Sequence, residues 1–197
     1  MILHEAKNIA IDICYKLQPF TTRINIAGSI RRKKPEVKDI EIVLTPLMVA
    51  STSTSLLSDV STGDVVHPNF VELVNSLGTL EKGKPTGRYC KIVLPQGINL
   101  DLFIPDPTDF FRQYAIRTGS ADYSFKVIAH GWRKIGWVGS DLGLRLEKDC
   151  VETKQPDGKS KWTCVRNKNN TPPVWESEES FFNWLGVKMV APELRNI

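Results

Sequence analysis

The sequence predicts an α+β fold, and three observations carry that expectation. The chain has 197 residues, room for one ordinary domain or two small lobes sharing an interface. It is 41% hydrophobic and 24% charged, with five Trp, eight Phe and four Tyr, a composition that builds a packed core and excludes a disordered chain. Strand signals dominate up to Ile104, and from Pro105 the character turns helical, so both element types are present but segregated.

Leu3, Ala6, Ile9, Ala10, Ile13, Cys14 and Leu17 recur at three- and four-residue steps, predicting an amphipathic helix over 3–17 that stops before Gln18-Pro19. A strand is expected at 23–27, then a turn, Gly28-Ser29-Ile30-Arg31-Arg32, in which Ser29 caps a short helix limited by Pro35. Asp39 to Leu44 alternates and then becomes continuously apolar, as a strand entering a core does. Residues 51–64 are rich in Ser and Thr without a useful period and are expected to form a long surface loop. A helix at 69–77 ends at Gly78; strands at 88–94 and 98–104 form a hairpin around Pro95-Gln96-Gly97. Helices follow near 108–116 and 122–135, separated by Thr118-Gly119-Ser120. Residues 137–146 and a lysine-rich hairpin about Pro156-Asp157-Gly158 suggest a small antiparallel sheet, and 178–185 a last helix. A three-residue hairpin loop would set Cys150 opposite Cys164.

No stretch approaches the run of apolar residues a membrane helix needs, and the N-terminus lacks a signal-peptide pattern, so a cytoplasmic protein with no membrane partner is expected. The four cysteines form no Cys-x-x-Cys pair, which makes a structural zinc site improbable. Twenty-six Lys and Arg against twenty-two Asp and Glu leave +4, which permits a polyanionic partner without demanding one.

Asp39 and Glu41 stand two apart on a strand, so both carboxylates leave one face and repel unless a cation sits between them. A third carboxylate, Asp101, lies in a later apolar strand. If the two strands pair, three acids converge on one edge, and oxygen-only ligands suit Mg²⁺, or Mn²⁺ in its place, sharing its sphere with phosphates. The Gly28-Ser29 turn offers backbone N–H groups and a hydroxyl to phosphate oxygens, and Arg31 and Arg32 add forked guanidinium groups. Catalytic and metal-binding roles therefore fall to Asp39, Glu41 and Asp101.

Gly28-Ser29-Ile30-Arg31-Arg32 with Asp39-Ile40-Glu41, followed by Asn99-Leu100-Asp101-Leu102-Phe103-Ile104-Pro105, resembles the palm signatures of the family X DNA polymerases, within the polymerase-beta-like nucleotidyltransferases. Lys82-Gly83-Lys84, Thr118-Gly119-Ser120, Gly136-Trp137, Ser140 to Leu144 and the closing Pro192-Glu193-Leu194-Arg195 extend the likeness over nearly the whole chain. The resemblance implies a nucleotidyltransferase palm over 1–105 and a C-terminal nucleotide- and DNA-contacting subdomain over 106–197, without the lyase region of larger members. That layout is like minimal viral members and suggests a virus or phage origin. It further implies a monomer that binds a DNA primer/template and dNTP. Ser29 and Arg32 would contact the β- and γ-phosphates, and Gly119, with Ser120 beside it, would lie against the sugar. Asp39 and Glu41 would bridge two metals, with Asp101 at the catalytic one. Two departures stand out: Glu41 replaces the family's usual Asp, and Ile116-Arg117 replaces an aromatic pair that excludes ribonucleotides.

Lys82, Lys84 and Arg88 around a glycine-rich turn, and Lys126, Arg133 and Lys134 on one helix, are the expected DNA contacts. The tryptophans are expected in cores, and His4, His67 and His130 carry no ligand spacing. Besides a gap-filling DNA polymerase, the pattern leaves open a template-independent transferase acting on RNA, protein or a small molecule, and a catalytically weak nucleic-acid-binding module.

Overall fold

The structure, a computed structural model, describes the backbone of residues 1–55 and 58–197 and the side chains of 1–51 and 63–197. Helix α1 (Leu3–Leu17) forms as its apolar spacing dictates and buries Ala6, Ala10, Ile13 and Leu17. Strand β1 (Thr21–Ile26), the short helix α2 (Gly28–Arg31) and strand β2 (Asp39–Pro46) follow. The expected loop over 51–64 is corrected: β3 (Met48–Ser55) and β4 (Ser58–Val66) pair as an antiparallel ribbon from Met48↔Val66 to Ser55↔Ser58. Residues 51–64 carry no apolar alternation by which a strand could be read, and among the described residues this ribbon pairs with no third strand; Met48 stays 50% and Val65 43% exposed. Leu56 and Leu57, within that expected loop, lie outside the described residues.

Helix α3 (Pro68–Ser76) starts at Pro68, with the His67 ring accepting the Asn69 N–H. Strands β5 (Thr79–Gly83), β6 (Tyr89–Val93) and β7 (Asn99–Phe103) complete a sheet ordered β1-β2-β7-β6-β5, in which only β2 and β7 are parallel. One face is apolar: Ile40, Ile42, Leu44, Cys90, Ile92, Leu100 and Leu102 pack beneath α1 and α3 with Phe70 and Val74. Each fully buried Ile or Leu there contributes about 1.5–3 kcal/mol. Because strand side chains alternate, the same packing forces Asp39, Glu41, Tyr89, Lys91, Asp101 and Phe103 onto the opposite face.

Helix α4 (Phe110–Thr118) covers part of that face, where Phe110 packs on Ala27 and Val43. Helix α5 (Ala121–Tyr123) runs through a π-helical turn (Ser124–Ala129) into α6 (His130–Lys134), so the basic residues expected on one helix do share a helical run. A second sheet, ordered β10-β11-β8-β9, joins β8 (Trp137–Ser140) and β9 (Gly143–Leu146) to the hairpin β10 (Cys150–Lys154) and β11 (Ser160–Cys164). The expectation of an all-antiparallel sheet is corrected, since β11 meets β8 in parallel. Cys150 and Cys164 do stand opposite each other, both as free thiols, and burial followed by the neighbouring Cys164 pushes the Cys150 thiol up to about 11. A second core gathers Ala115, Tyr123, Ile128, Trp175, Phe181 and Phe182, with Trp132, Trp137 and Trp184 packed against it; Trp162 instead lies under Arg133. Helix α7 (Glu178–Trp184) is started by a Ser177/Ser180 capping box. The architecture is α+β, and among the described residues no helix is long and apolar enough to cross a membrane.

Candidate functional site

The parallel register of β2 and β7 sets Asp39 opposite Asn99 and Glu41 opposite Asp101. All three carboxylates therefore share one face, as their spacing predicts. They lie on two of the sheet's three interior strands and not at its edge, because β1 flanks β2 and β6 flanks β7. Burial, then Asp39, pushes the Glu41 carboxyl up to about 7, while Arg117 and Arg32 pull it back. Asp39 is raised as well, by burial first and Asp101 second, with Arg32 opposing. The balancing charges are thus arginines, and their own guanidinium groups are shifted down by the same burial.

Gly28 is buried at φ +62°, and a Cβ there would overlap the Glu41 carboxylate. The turn consequently rests directly on the second acid. Gly28→Ala is expected to lose about 1–2 kcal/mol to left-handed backbone strain alone, and more from moving Glu41. Thermal unfolding checks this: the midpoint should fall, and a wild-type midpoint would refute the contact.

Ser29 does not cap α2 as expected; Ala27 is the N-cap, and the buried Ser29 hydroxyl has no hydrogen-bond partner. Arg32 donates one N–H to the Thr118 carbonyl at 2.6 Å, while its buried Nε is also unpartnered. Two donors without a protein acceptor, beside Gly28, suit an anionic group, since leaving such a donor unmade costs about 1–3 kcal/mol. Arg31 is different. Its guanidinium is held by Glu178 at 2.8 and 2.9 Å and by the Thr118 hydroxyl at 2.6 Å, and it lies 3.8 Å over the Tyr114 ring. It ties α2 to α4 and α7 and is engaged there, away from the role expected of it.

Gly119 ends α4 in extended conformation. Ser120 caps α5 and is bound to the tail: its N–H donates to Arg195 O at 2.9 Å and its hydroxyl to Ile197 O at 3.2 Å. The C-terminal residues thereby order the Thr118-Gly119-Ser120 turn.

A cleft of about 700 Å³ opens on the carboxylate face, lined by Glu41, Asp101, Lys82, Arg88, Arg112 and Arg117, with Leu142, Pro172, Pro173 and Val174 as its apolar wall. A second cavity of about 530 Å³ is lined by Asp39, Asp101, Lys91 and Asn99. Of the expected DNA contacts, Lys82 lines both and Arg88 the first, where it pairs with Asp106 at 3.2 Å. Lys84 and Lys134 are exposed, Lys126 pairs with Asp122, and Arg133 pairs with Glu147; none of these four lines the cleft.

Two side chains here escape a reading of local motifs. Tyr89 donates its hydroxyl to Asp101 Oδ1 at 2.6 Å, and Arg117 stacks 3.9 Å over the Phe103 ring with its Nε unpartnered. The alternation of Tyr89 with Lys91 is the only sequence signal for the first; the second shows only as a basic residue where the resembled family carries an aromatic. Among the described residues, no three acids, histidines or cysteines are drawn close enough to hold an ion as they stand. The donor set itself is of the hard-oxygen kind that fits Mg²⁺.

No model of a known protein family matches the chain, and no curated protein matches it.

Proposed function

We propose that the protein is a metal-dependent nucleotidyltransferase of the family X DNA polymerase kind, adding dNMP from dNTP to a primer 3′-OH at gaps in DNA. One observation carries the reading: the Glu41↔Asp101 register, which gathers three carboxylates on one sheet face directly beneath the Gly28-Ser29 turn. Paired acids beneath an unsatisfied anion cradle are what nucleotidyl transfer requires, since charge must be neutralised on both sides of the reacting phosphorus.

Asp39, Glu41 and Asp101 would hold Mg²⁺, which when bound supplies positive charge to the phosphate oxygens and makes the primer hydroxyl more acidic. Ser29 and Arg32 bind the outer phosphates of the nucleotide through the donors that lack protein partners. The 3′-hydroxyl gives up its proton to Asp101, its oxygen attacks the α-phosphorus, a new P–O bond forms, the bond to the β-phosphate bridge breaks, and pyrophosphate leaves with its charge matched by Arg32. Lys82 and Arg88 at the cleft supply sites for DNA phosphates, so binding should weaken with salt.

Incorporation on single-nucleotide-gapped DNA with Mg²⁺ or Mn²⁺ tests the reading. Template-directed addition supports it; absence of addition sinks it. Arg117, a cation and not an aromatic ring beside Glu41 and Asp101, bears on sugar choice and favours use of ribonucleotides, which keeps a second reading in view, a template-independent transferase acting on RNA. Addition to single strands or RNA alone would select that reading.

A further inference from the structure

We propose that Tyr89 is a positioning residue that competes with the divalent cation for Asp101, so that the carboxylate is released to metal only against a standing hydrogen bond. This rests on the metal centre proposed above and adds to it a residue outside the acidic set.

The bond arises from the sheet. On antiparallel β6 and β7, Tyr89 stands opposite Phe103 and Lys91 opposite Asp101, which makes Tyr89 and Asp101 diagonal neighbours on one face. Diagonal positions lie about 7–8 Å apart, within reach of an aromatic side chain. The hydroxyl meets Asp101 Oδ1 at 2.6 Å, the short range of an O–H donor on a charged acceptor.

The ring does not swing freely. It packs 5.3 Å from Phe103, whose own ring carries the Arg117 guanidinium at 3.9 Å. Tyr89 and Asp101 also line both cavities, the one that holds Glu41 and the one that holds Asp39. The hydroxyl thus binds the single acid common to both cavities. A neutral phenol and a divalent cation are rival electron acceptors for one carboxylate oxygen. The cation wins when its local concentration or a bound polyphosphate adds to its hold, so Tyr89 makes metal occupancy at Asp101 depend on substrate. Loss of its proton plays no part, since burial and the Asp101 charge hold the phenol well above its ordinary range.

Mn²⁺ titration of the whole chain by electron paramagnetic resonance, without DNA or nucleotide, reads this directly. Tyr89→Phe keeps the ring against Phe103 and removes only the hydroxyl; it should bind Mn²⁺ about three- to tenfold tighter, the share of a charged hydrogen bond left after water replaces it. In an Asp101→Asn background the same change should make no difference. Unchanged or weaker binding by Tyr89→Phe, or a gain that persists without the Asp101 charge, overturns the proposal while leaving the metal centre in place. Absence of saturable Mn²⁺ binding by the unmodified protein, or binding that Asp101→Asn leaves untouched, overturns the metal centre and this proposal together.

Discussion

Asp101→Asn is expected to lower the rate of nucleotide addition by on the order of a thousandfold, close to 4 kcal/mol of transition-state stabilisation. The substitution is nearly isosteric and the side chain is half-buried on a sheet whose core lies on the other face, so the unfolding midpoint should move little. The amide can still accept the Tyr89 hydroxyl, which keeps β6 and β7 as they are. What it loses is a full negative charge between Glu41 and Lys91 on the sheet face. Single-turnover incorporation on gapped DNA measures the loss, and nucleotide affinity measured in parallel should stay within a few fold, because the donors proposed to bind the phosphates, Ser29 in α2 and Arg32 at its C-cap, do not come from β7. Activity within tenfold of the unmodified protein would remove Asp101 from the mechanism.

The carboxylates were legible because strand periodicity is local: two acids two residues apart share a face whatever the rest of the chain does. Their convergence with Asp101 needed only one further assumption, that the two apolar strands pair. Arg31 and Arg32 were not separable in the same way. They are adjacent in sequence and chemically identical, and what divides them is Glu178, 147 residues away, which captures one guanidinium and leaves the other beside Glu41 and Asp39. The capping role expected of Ser29 failed for a related reason: with Gly28 at φ +62°, the helix starts one residue early and the hydroxyl falls inside it. Tyr89 was invisible to motif logic because it acts across strands, through Asp101, and Arg117 showed only as a departure from the family motif, its place over Phe103 being set between elements. The ribbon of β3 and β4 was missed because residues 51–64, rich in Ser and Thr, carry no apolar alternation.

Glu178→Gln is expected to cost about 3–5 kcal/mol of stability, the usual penalty for removing one member of a buried ion cluster. Glu178 receives Arg31 at 2.8 Å and Arg195 at 2.7 Å, and Arg195 is only 1% exposed, with its Nε on the Val190 carbonyl and its guanidinium against Phe182. Neutralising the acid leaves two positive charges close together, one of them sealed from water. At this chain length each kcal/mol moves the unfolding midpoint by about 2–4 °C, so a fall of at least about 6 °C should appear in a thermal melt. The pH dependence has a defined sign. Burial alone would raise the Glu178 carboxyl, but the hydrogen bonds and charges of Arg31 and Arg195 outweigh it and hold the group below its ordinary value. Its contribution is therefore fully present above the unfolded value of about 4.3 and is lost as pH falls through the lower folded value. Unmodified protein and Glu178→Gln should accordingly differ most near neutrality and converge in acid. Because Arg31 anchors α2, the variant should also raise the KM for nucleotide more than it lowers kcat, through the turn that carries Ser29 and Arg32. A variant within 1 °C of the unmodified protein at pH 7 would mean that the cluster is solvated in solution and fixes neither the tail nor the turn.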